Sequence, residues 1–335
     1  MTSYIVIGAG IGAESFLYQL AQTKNIPNKV IQLSNEAFYP SCSLRTTAIV
    51  AGRGISEGHS ELGDILSKSY ERFQRHVSLD RPEGVFLSPQ WTGTKEKIEA
   101  FQKRYAGGEI TQNISSLDLK LSEEMYLQNE PCFIIDPDLY LQWLRSEADK
   151  KMTITRETDE VIEIVQKSQT WLVKTHSGKM YEADCLFMGM GSYHRFWKTV
   201  LPNDSLIQTS NPVQGSYLVY QNINLGEKPY SLTLEGDNLI YHAHTKKLII
   251  GSTTVQASHF LPDISELKNI DQRLRTLLPQ MSWPAFETAD IKTGLREKAR
   301  QRKPYLEKRQ NLIVSGGYYK NGYSVAIYLA EKALE

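Results

Sequence analysis

The stretch Tyr4-Ile5-Val6-Ile7-Gly8-Ala9-Gly10-Ile11-Gly12-Ala13 decides the architecture of this chain. Residues 4–7 are apolar and largely β-branched and read as a strand, and the glycines that follow turn the chain sharply. Phe16, Leu17, Leu20 and Ala21 then recur at helical spacing, and Val30-Ile31-Gln32-Leu33 returns to a strand. Strand, turn, helix, strand is a βαβ unit, which requires a parallel sheet. Inside it, Gly8-x-Gly10-x-x-Ala13 is the dinucleotide fingerprint in its G-x-G-x-x-A form. The first glycine makes the tight turn and the second lets the backbone approach a pyrophosphate. The unpaired N–H groups of Ile11, Gly12 and Ala13 then face the phosphates with the helix dipole behind them.

An acidic residue about 20 positions on, at the end of the second strand, normally holds the ribose hydroxyls of such a ligand. Here Ser34 stands there, followed by Asn35 and Glu36. Either Glu36 reaches back to the ribose or Ser34 makes a weaker contact. No basic residue adjoins Ser34, as a 2′-phosphate would favour.

Working outward, 335 residues suit two domains of roughly 150 each, and 41% hydrophobic content supplies their cores. Lys plus Arg equals Asp plus Glu at 38 each, so no overall field recruits nucleic acid or an anionic membrane. The expected partner is a small molecule. Cys42, Cys132 and Cys185 are odd in number and far apart, which fits reduced thiols and offers no metal-binding pair. Residues 4–7 are too short for a secretory h-region and lack a basic flank. No run approaches the roughly 18 apolar residues of a membrane span, so a cytoplasmic protein is expected.

A helix is predicted over residues 61–77 from Leu62, Ile65, Leu66, Tyr70 and Phe73, and an amphipathic helix near 95–105. A short strand, residues 84–87, lies between them. Asp136-Pro137-Asp138 opens a further helix, with Asp136 suited to the N-cap and Pro137 to the first helical position. Residues 161–165, 170–175, 215–221, 230–234, 239–242 and 248–251 are short, turn-bounded and strand-like, predicting a largely antiparallel sheet. A strand at 311–314, a glycine pair and a final helix carrying Val325, Ile327, Tyr328, Leu329 and Ala330 close the pattern.

Four segments resemble the D-amino-acid oxidase and glycine oxidase superfamily of FAD-dependent oxidoreductases. Ser41-Cys-Ser-Leu-Arg-Thr-Thr-Ala-Ile-Val-Ala-Gly52 resembles that family's Ser/Thr-rich segment after the second strand, which wraps the pyrophosphate and the flavin edge. Asp136-Pro-Asp-Leu-Tyr-Leu-Gln-Trp-Leu144 with Val161-Ile-Glu-Ile164 resembles its "DP..L...L" helix and adenine-contacting valine strand. Tyr181-Glu-Ala-Asp-Cys-Leu-Phe-Met-Gly-Met-Gly-Ser192 resembles its second nucleotide-proximal strand. Thr293-Gly-Leu-Arg296 and Ser315-Gly-Gly-Tyr-Tyr-Lys-Asn-Gly322 resemble its "G-[LIV]-R" and closing glycine-rich turn. Glu297 departs from the proline common after the arginine, and Lys320 and Asn321 from the usual small residues.

The resemblance implies an α/β fold: a discontinuous FAD-binding Rossmann-like domain of the glutathione-reductase type (residues 1–80, 136–210 and 290–335) and a mostly antiparallel substrate domain (81–135 and 211–289). It implies a flavin site that draws on Ser43, Arg45, Thr46, Thr47, Val161, Gly189, Gly191, Gly317, Lys320, Asn321, Gly322 and Tyr323 besides the N-terminal turn and Ser34 or Glu36. The implied reaction moves a hydride from the carbon bearing nitrogen of a small amine or amino acid to flavin N5, and water hydrolyses the imine. Arg296 is then expected to clamp a substrate carboxylate. Tyr241 is expected to wall the flavin with its ring and hydroxyl, and Lys320 to add positive charge where the reduced ring is anionic. His242-x-His244 could share a strand face, but no third ligand is near in sequence, so no metal is expected. The run Arg296, Lys298, Arg300, Arg302 and Lys303 reads as a solvated basic face, with an anionic substrate or RNA as the alternative occupant. Two other readings stay open: an NAD(P)-dependent dehydrogenase on the same turn, and a catalytically silent FAD-binding partner protein.

Overall fold

Ile5, Val6 and Ile7 of the strand Ser3–Ile7 (β1) are buried on both faces, which is why they form an apolar run rather than an alternation. The computed structural model describes residues 2–35, 40–52, 55, 57–95, 108–198, 201 and 205–335. β1 pairs in parallel with Lys29–Ser34 (β2) on one side and Cys185–Met188 (β11) on the other. Ile154–Thr158 (β7) and Leu312–Gly316 (β18) extend the sheet in parallel, and Tyr305–Arg309 (β17) closes one edge antiparallel. The result is a six-stranded sheet in the order β17-β18-β11-β1-β2-β7.

Period-two alternation divides these strands between two layers. Val6, Val30, Phe187 and Ile313 face the helices Ile11–Leu20 (α1), Pro137–Asp149 (α3) and Gly322–Leu334 (α5). Ile5, Ile7, Ile31 and Leu33 point the other way, onto Ile164, Trp171 and Val173. Those three belong to a separate antiparallel meander of Val161–Lys167 (β8), Thr170–Thr175 (β9) and Met180–Ala183 (β10). The Asp136 side chain accepts the N–H groups of Asp138 and Leu139 at the head of α3, with Pro137 in its first turn, a cap that contributes about 1 kcal/mol. The helix predicted over 61–77 extends as Glu61–Asp80 (α2), capped by Ser60 and ended at Arg81 in the left-handed region.

A nine-stranded, curled sheet forms the second body. Its path runs Asp290–Lys298 (β16), Asn211–Tyr220 (β12), Lys247–Gly251 (β15), Asp237–His242 (β14), Tyr230–Leu234 (β13), Val85–Thr94 (β4), Leu119–Ile135 (β6) and Ile49–Ala51 (β3), with Glu109–Ile114 (β5) paired to β6. All neighbours are antiparallel except β13 and β4. Helix Ile264–Leu277 (α4) covers one face, setting Leu267, Ile270 and Leu274 on Leu239, Tyr241, Leu248 and Ile250.

Fold class is as expected: a parallel Rossmann-like sheet joined to a mostly antiparallel one. The strands at 161–175 depart from the expectation of a single antiparallel sheet, forming their own meander against the parallel one. The helix predicted near 95–105 lies, apart from Lys95, outside the described residues.

Candidate active site

One cavity of about 1020 Å³ runs from the end of β2, past the N-termini of α1 and α5, to the face of the large sheet opposite α4. At its near end Gly8 adopts φ +119°, and a Cβ there would stand 2.7 Å from the Gly189 carbonyl oxygen. Only glycine fits that approach of two turns. Gly10 precedes α1 with no side-chain cap, and a Cβ on it would crowd the Ser41 and Ser43 hydroxyls at 3.1 Å. The Ile11 N–H donates to Ser43 Oγ at 2.9 Å. Glu14, buried within α1, accepts from Gln32 Nε2 and Arg145 Nε at 2.9 Å each, and Arg145 also donates to the Ala9 carbonyl. Burial raises the Glu14 carboxyl pKa against the pull of Arg145 and Gln32.

Gly8, Gly10, Ile11, Gly12, Ser34, Ser43, Thr46, Thr47, Val161, Gly189, Gly191, Lys320, Asn321, Gly322 and Tyr323 all line this cavity. Ala13 and Gly317 stand behind the lining. Ala13 is buried against Gly8 and Gly189, and the Gly317 N–H, at φ +71°, donates to Glu297 Oε2 at 2.8 Å. Arg45 turns aside, its guanidinium donating to the Thr293 carbonyl at 3.3 Å and lying over the Phe260 ring. Glu36 lies outside the described residues.

Ser34, not an acid, ends β2. The cavity supplies acids from elsewhere: Asp159 and Glu160 line it beside Ser34 and Val161, because β7 pairs with β2 and the turn after β7 brings them there. The Asp159 N–H donates to the Ser34 carbonyl at 2.9 Å. Hydrogen bonds from the Ser177 and Thr175 side chains hold the Asp159 carboxyl down at about 2. The acid pair just ahead of the valine strand was the signal available in sequence.

At the far end Arg296 Nη2 donates to Ser252 Oγ at 2.7 Å, and its guanidinium lies where a Gly215 side chain would stand. Its Nη1 is buried without a partner among the described residues. Gln90, Thr233 and Asn238 complete this polar wall; Thr233 Oγ1 donates to Asn238 Oδ1 at 2.8 Å, and Gln90 Oε1 is unpaired among the described residues. Partial desolvation, with the charges of Arg296 and Arg302, lowers the pKa of the exposed Lys320. Burial likewise pushes up the Cys42 thiol, against the opposing charges of Arg296 and Arg45. Tyr241 is not in this site. It shares the parity of Leu239, so it faces α4, fully buried, and donates its hydroxyl to the Gly226 carbonyl at 2.9 Å.

A protein-family model described as FAD dependent oxidoreductase (DAO) matches residues 3–335. The chain belongs to the DAO family of FAD-dependent oxidoreductases. Among curated proteins none matches by sequence. Solved structures of like fold include iminodiacetate oxidase from Chelativorans sp. BNC1, with TM-score 0.79 and 14% identity over 98% of this chain and 94% of that one. Glycine oxidase from Geobacillus kaustophilus gives TM-score 0.75 and 17% identity over 100% and 94%. L-Proline dehydrogenase from P. horikoshii gives 0.76 and 13% over 99% and 92%. At these identities the likeness is one of fold.

Glu297 has a supporting role in this DAO-family chain that its sequence position did not reveal. Fully buried, it accepts from the Tyr305 hydroxyl at 2.8 Å and the Gly317 N–H at 2.8 Å, with His194 Nδ1 at 3.3 Å. Burial alone would raise its pKa, but the His194 charge and these hydrogen bonds outweigh it and hold the carboxyl low. A lowered folded-state value contributes stability above the unfolded glutamate pKa, and that contribution disappears as pH falls through the folded value. Glu297→Gln should therefore cost about 2–4 kcal/mol at pH 7. The gap between variant and wild type in urea unfolding should narrow below about pH 4. A gap constant from pH 7 to pH 3 would show that the charge contributes nothing.

No helix among the described residues is long and apolar enough to cross a membrane.

Proposed function

We propose that this chain binds FAD along the whole cavity and oxidises a small, carboxylated amine or amino acid. The observation that carries the reading is the half-buried Arg296, whose buried Nη1 has no partner among the described residues, in the cavity shared with the N-termini of α1 and α5. Neither helix has a side-chain cap. Backbone N–H groups opening α1, with the glycines that clear space before them, suit a diphosphate. Asp159, Glu160 or Ser34 would hold the ribose, and Val161 the adenine. The N-terminus of α5 and Lys320 would place positive potential by the ring.

FAD, when bound, supplies the hydride acceptor for the carbon that bears nitrogen. Arg296 then orients the substrate through its carboxylate, a task its planar, forked donors perform better than an ammonium. Ser252 holds the guanidinium in register through its hydroxyl, and Gln90 and Asn238 offer hydrogen bonds to the remainder of a polar substrate. In this reading residues 1–80, 136–210 and 290–335 serve the nucleotide and 81–135 and 211–289 the substrate. β3 and β16 tie the two parts together through their pairing in the large sheet.

The test is anaerobic mixing of the purified yellow protein with glycine, sarcosine, D-amino acids, proline and their decarboxylated counterparts. Flavin colour should bleach with at least one carboxylated amine, and with its decarboxylated counterpart only at about 100-fold higher concentration. Retained FAD that no amine bleaches would mark a silent binding protein. A colourless chain that binds a nicotinamide nucleotide would mark a dehydrogenase.

A further inference from the structure

His242 is almost fully buried at the end of β14, yet its Nε2 has no hydrogen-bond partner among the described residues. An imidazole withdrawn from water without a partner costs roughly 1–3 kcal/mol, so the arrangement calls for a ligand. Two further groups surround it. His244 follows two residues later, its ring stacked on Phe86 at 4.1 Å and meeting His242 edge-on with centroids 5.8 Å apart. Asp136, the cap of α3, points Oδ2 to within 3.4 Å of His244 Nε2. One ligand atom from each of the three lies within 4.8 Å of the others. None of the three lines the nucleotide and substrate cavity.

We propose that Asp136, His242 and His244 bind a divalent first-row cation of the Zn²⁺ kind. Two imidazoles and one carboxylate are a nitrogen–oxygen donor set that suits zinc and disfavours calcium or magnesium, which prefer all-oxygen shells. Tetrahedral ligands at about 2.0–2.1 Å from zinc stand about 3.3 Å apart, close to the 3.4 Å between Asp136 and His244. The carboxylate is already oriented: Asp138 and Leu139 N–H groups occupy Oδ1 and leave Oδ2 for the ion. The Phe86 stack fixes the His244 ring. The fourth position, on the exposed His244 side, is left for water. Such an ion would join the head of α3 to the large sheet, linking the two bodies of the fold away from the reaction. The two histidines alone were insufficient in sequence; the pairing of β4 with β6 delivers the third ligand from residue 136.

The experiment uses the flavin-loaded protein, cleared of metal by a chelator and dialysed against Zn²⁺, with bound metal counted per chain. Co²⁺ serves as a spectroscopic probe of four-coordinate geometry. The expected result is one Zn²⁺ per chain and tetrahedral Co²⁺ absorption. His244→Ala, and Asp136→Asn, which preserves the helix cap, should each weaken affinity beyond the roughly 10–100-fold that losing an outer hydrogen-bond partner costs. FAD content should be unchanged in both. Should the buried His242→Ala variant misfold and shed FAD, the surface variant His244→Ala decides. No stoichiometric uptake by the wild type, or equal uptake by His244→Ala, overturns the site and leaves an adventitious ion only.

Discussion

Replacing Gly8 with alanine is expected to leave a chain that retains less than about a tenth of its FAD and is about 2–4 kcal/mol less stable. Two costs combine. The φ of +119° lies where a Cβ is strained, and that Cβ would also meet the Gly189 carbonyl oxygen at 2.7 Å. Neither turn can retreat cheaply, since the Gly8 N–H donates to Leu33, the Gly189 N–H donates to Ile7, and Gln32 Nε2 donates to the Gly8 carbonyl. Gly178→Ala separates the two costs. It has φ +85° but nothing within 4 Å of the added carbon, so it should lose only about 1 kcal/mol and keep its flavin. Denaturation curves and the flavin-to-protein absorbance ratio read both variants. If Gly8→Ala keeps full flavin, the pyrophosphate does not lie at this turn.

Arg296→Ala should raise KM for a carboxylated amine about 100-fold or more while flavin content stays at the wild-type level. A charge-assisted hydrogen bond contributes about 1.5–3 kcal/mol, and every 1.4 kcal/mol is tenfold, so loss of a two-pronged contact is a large effect even after solvent fills the gap. The same variant should gain relative preference for amines that lack a carboxylate, because the site no longer pairs that charge. Arg296→Lys should recover only part of the loss. Its ammonium has donors to spare but lacks the planar fork that keeps the Nη2 bond to Ser252 while presenting a second nitrogen to a carboxylate. Steady-state kinetics on the best amine from the bleaching panel decides. Unchanged KM in Arg296→Ala would remove this residue from the substrate site.

The body built on the parallel sheet was legible because its physics is local. A strand buried on both faces, a turn that only glycine can make and a capped helix each leave a mark within ten or so residues, so Gly8, Gly10 and Asp136 could be placed in the sequence. The curled sheet was less so, because its cavity-facing residues depend on register between distant strands. Tyr241 shows why: a strand with buried residues on both faces gives no sign of which parity meets a helix and which meets a cavity, and α4, which settles it, lies more than twenty residues later. Asn238, of opposite parity, lines the cavity instead. Glu297 was read only as a missing proline, since Tyr305, His194 and Gly317 meet it through pairing that no local pattern encodes. Asp159 and Glu160 line the cavity beside Val161 because β7, not the tip of β2, brings carboxylates there.

β18 sits inside the parallel sheet, between β17 and β11, and α5 packs across α1. During synthesis the ribosome therefore releases the glycine turn of α1 long before the segment that completes the opposite wall. Until residues 312–334 have left the exit tunnel, β11 presents an unpaired edge and α1 an uncovered apolar stripe. The wall that faces the glycine turn is thus closed late in the life of the nascent polypeptide, only once β18 and α5 have docked.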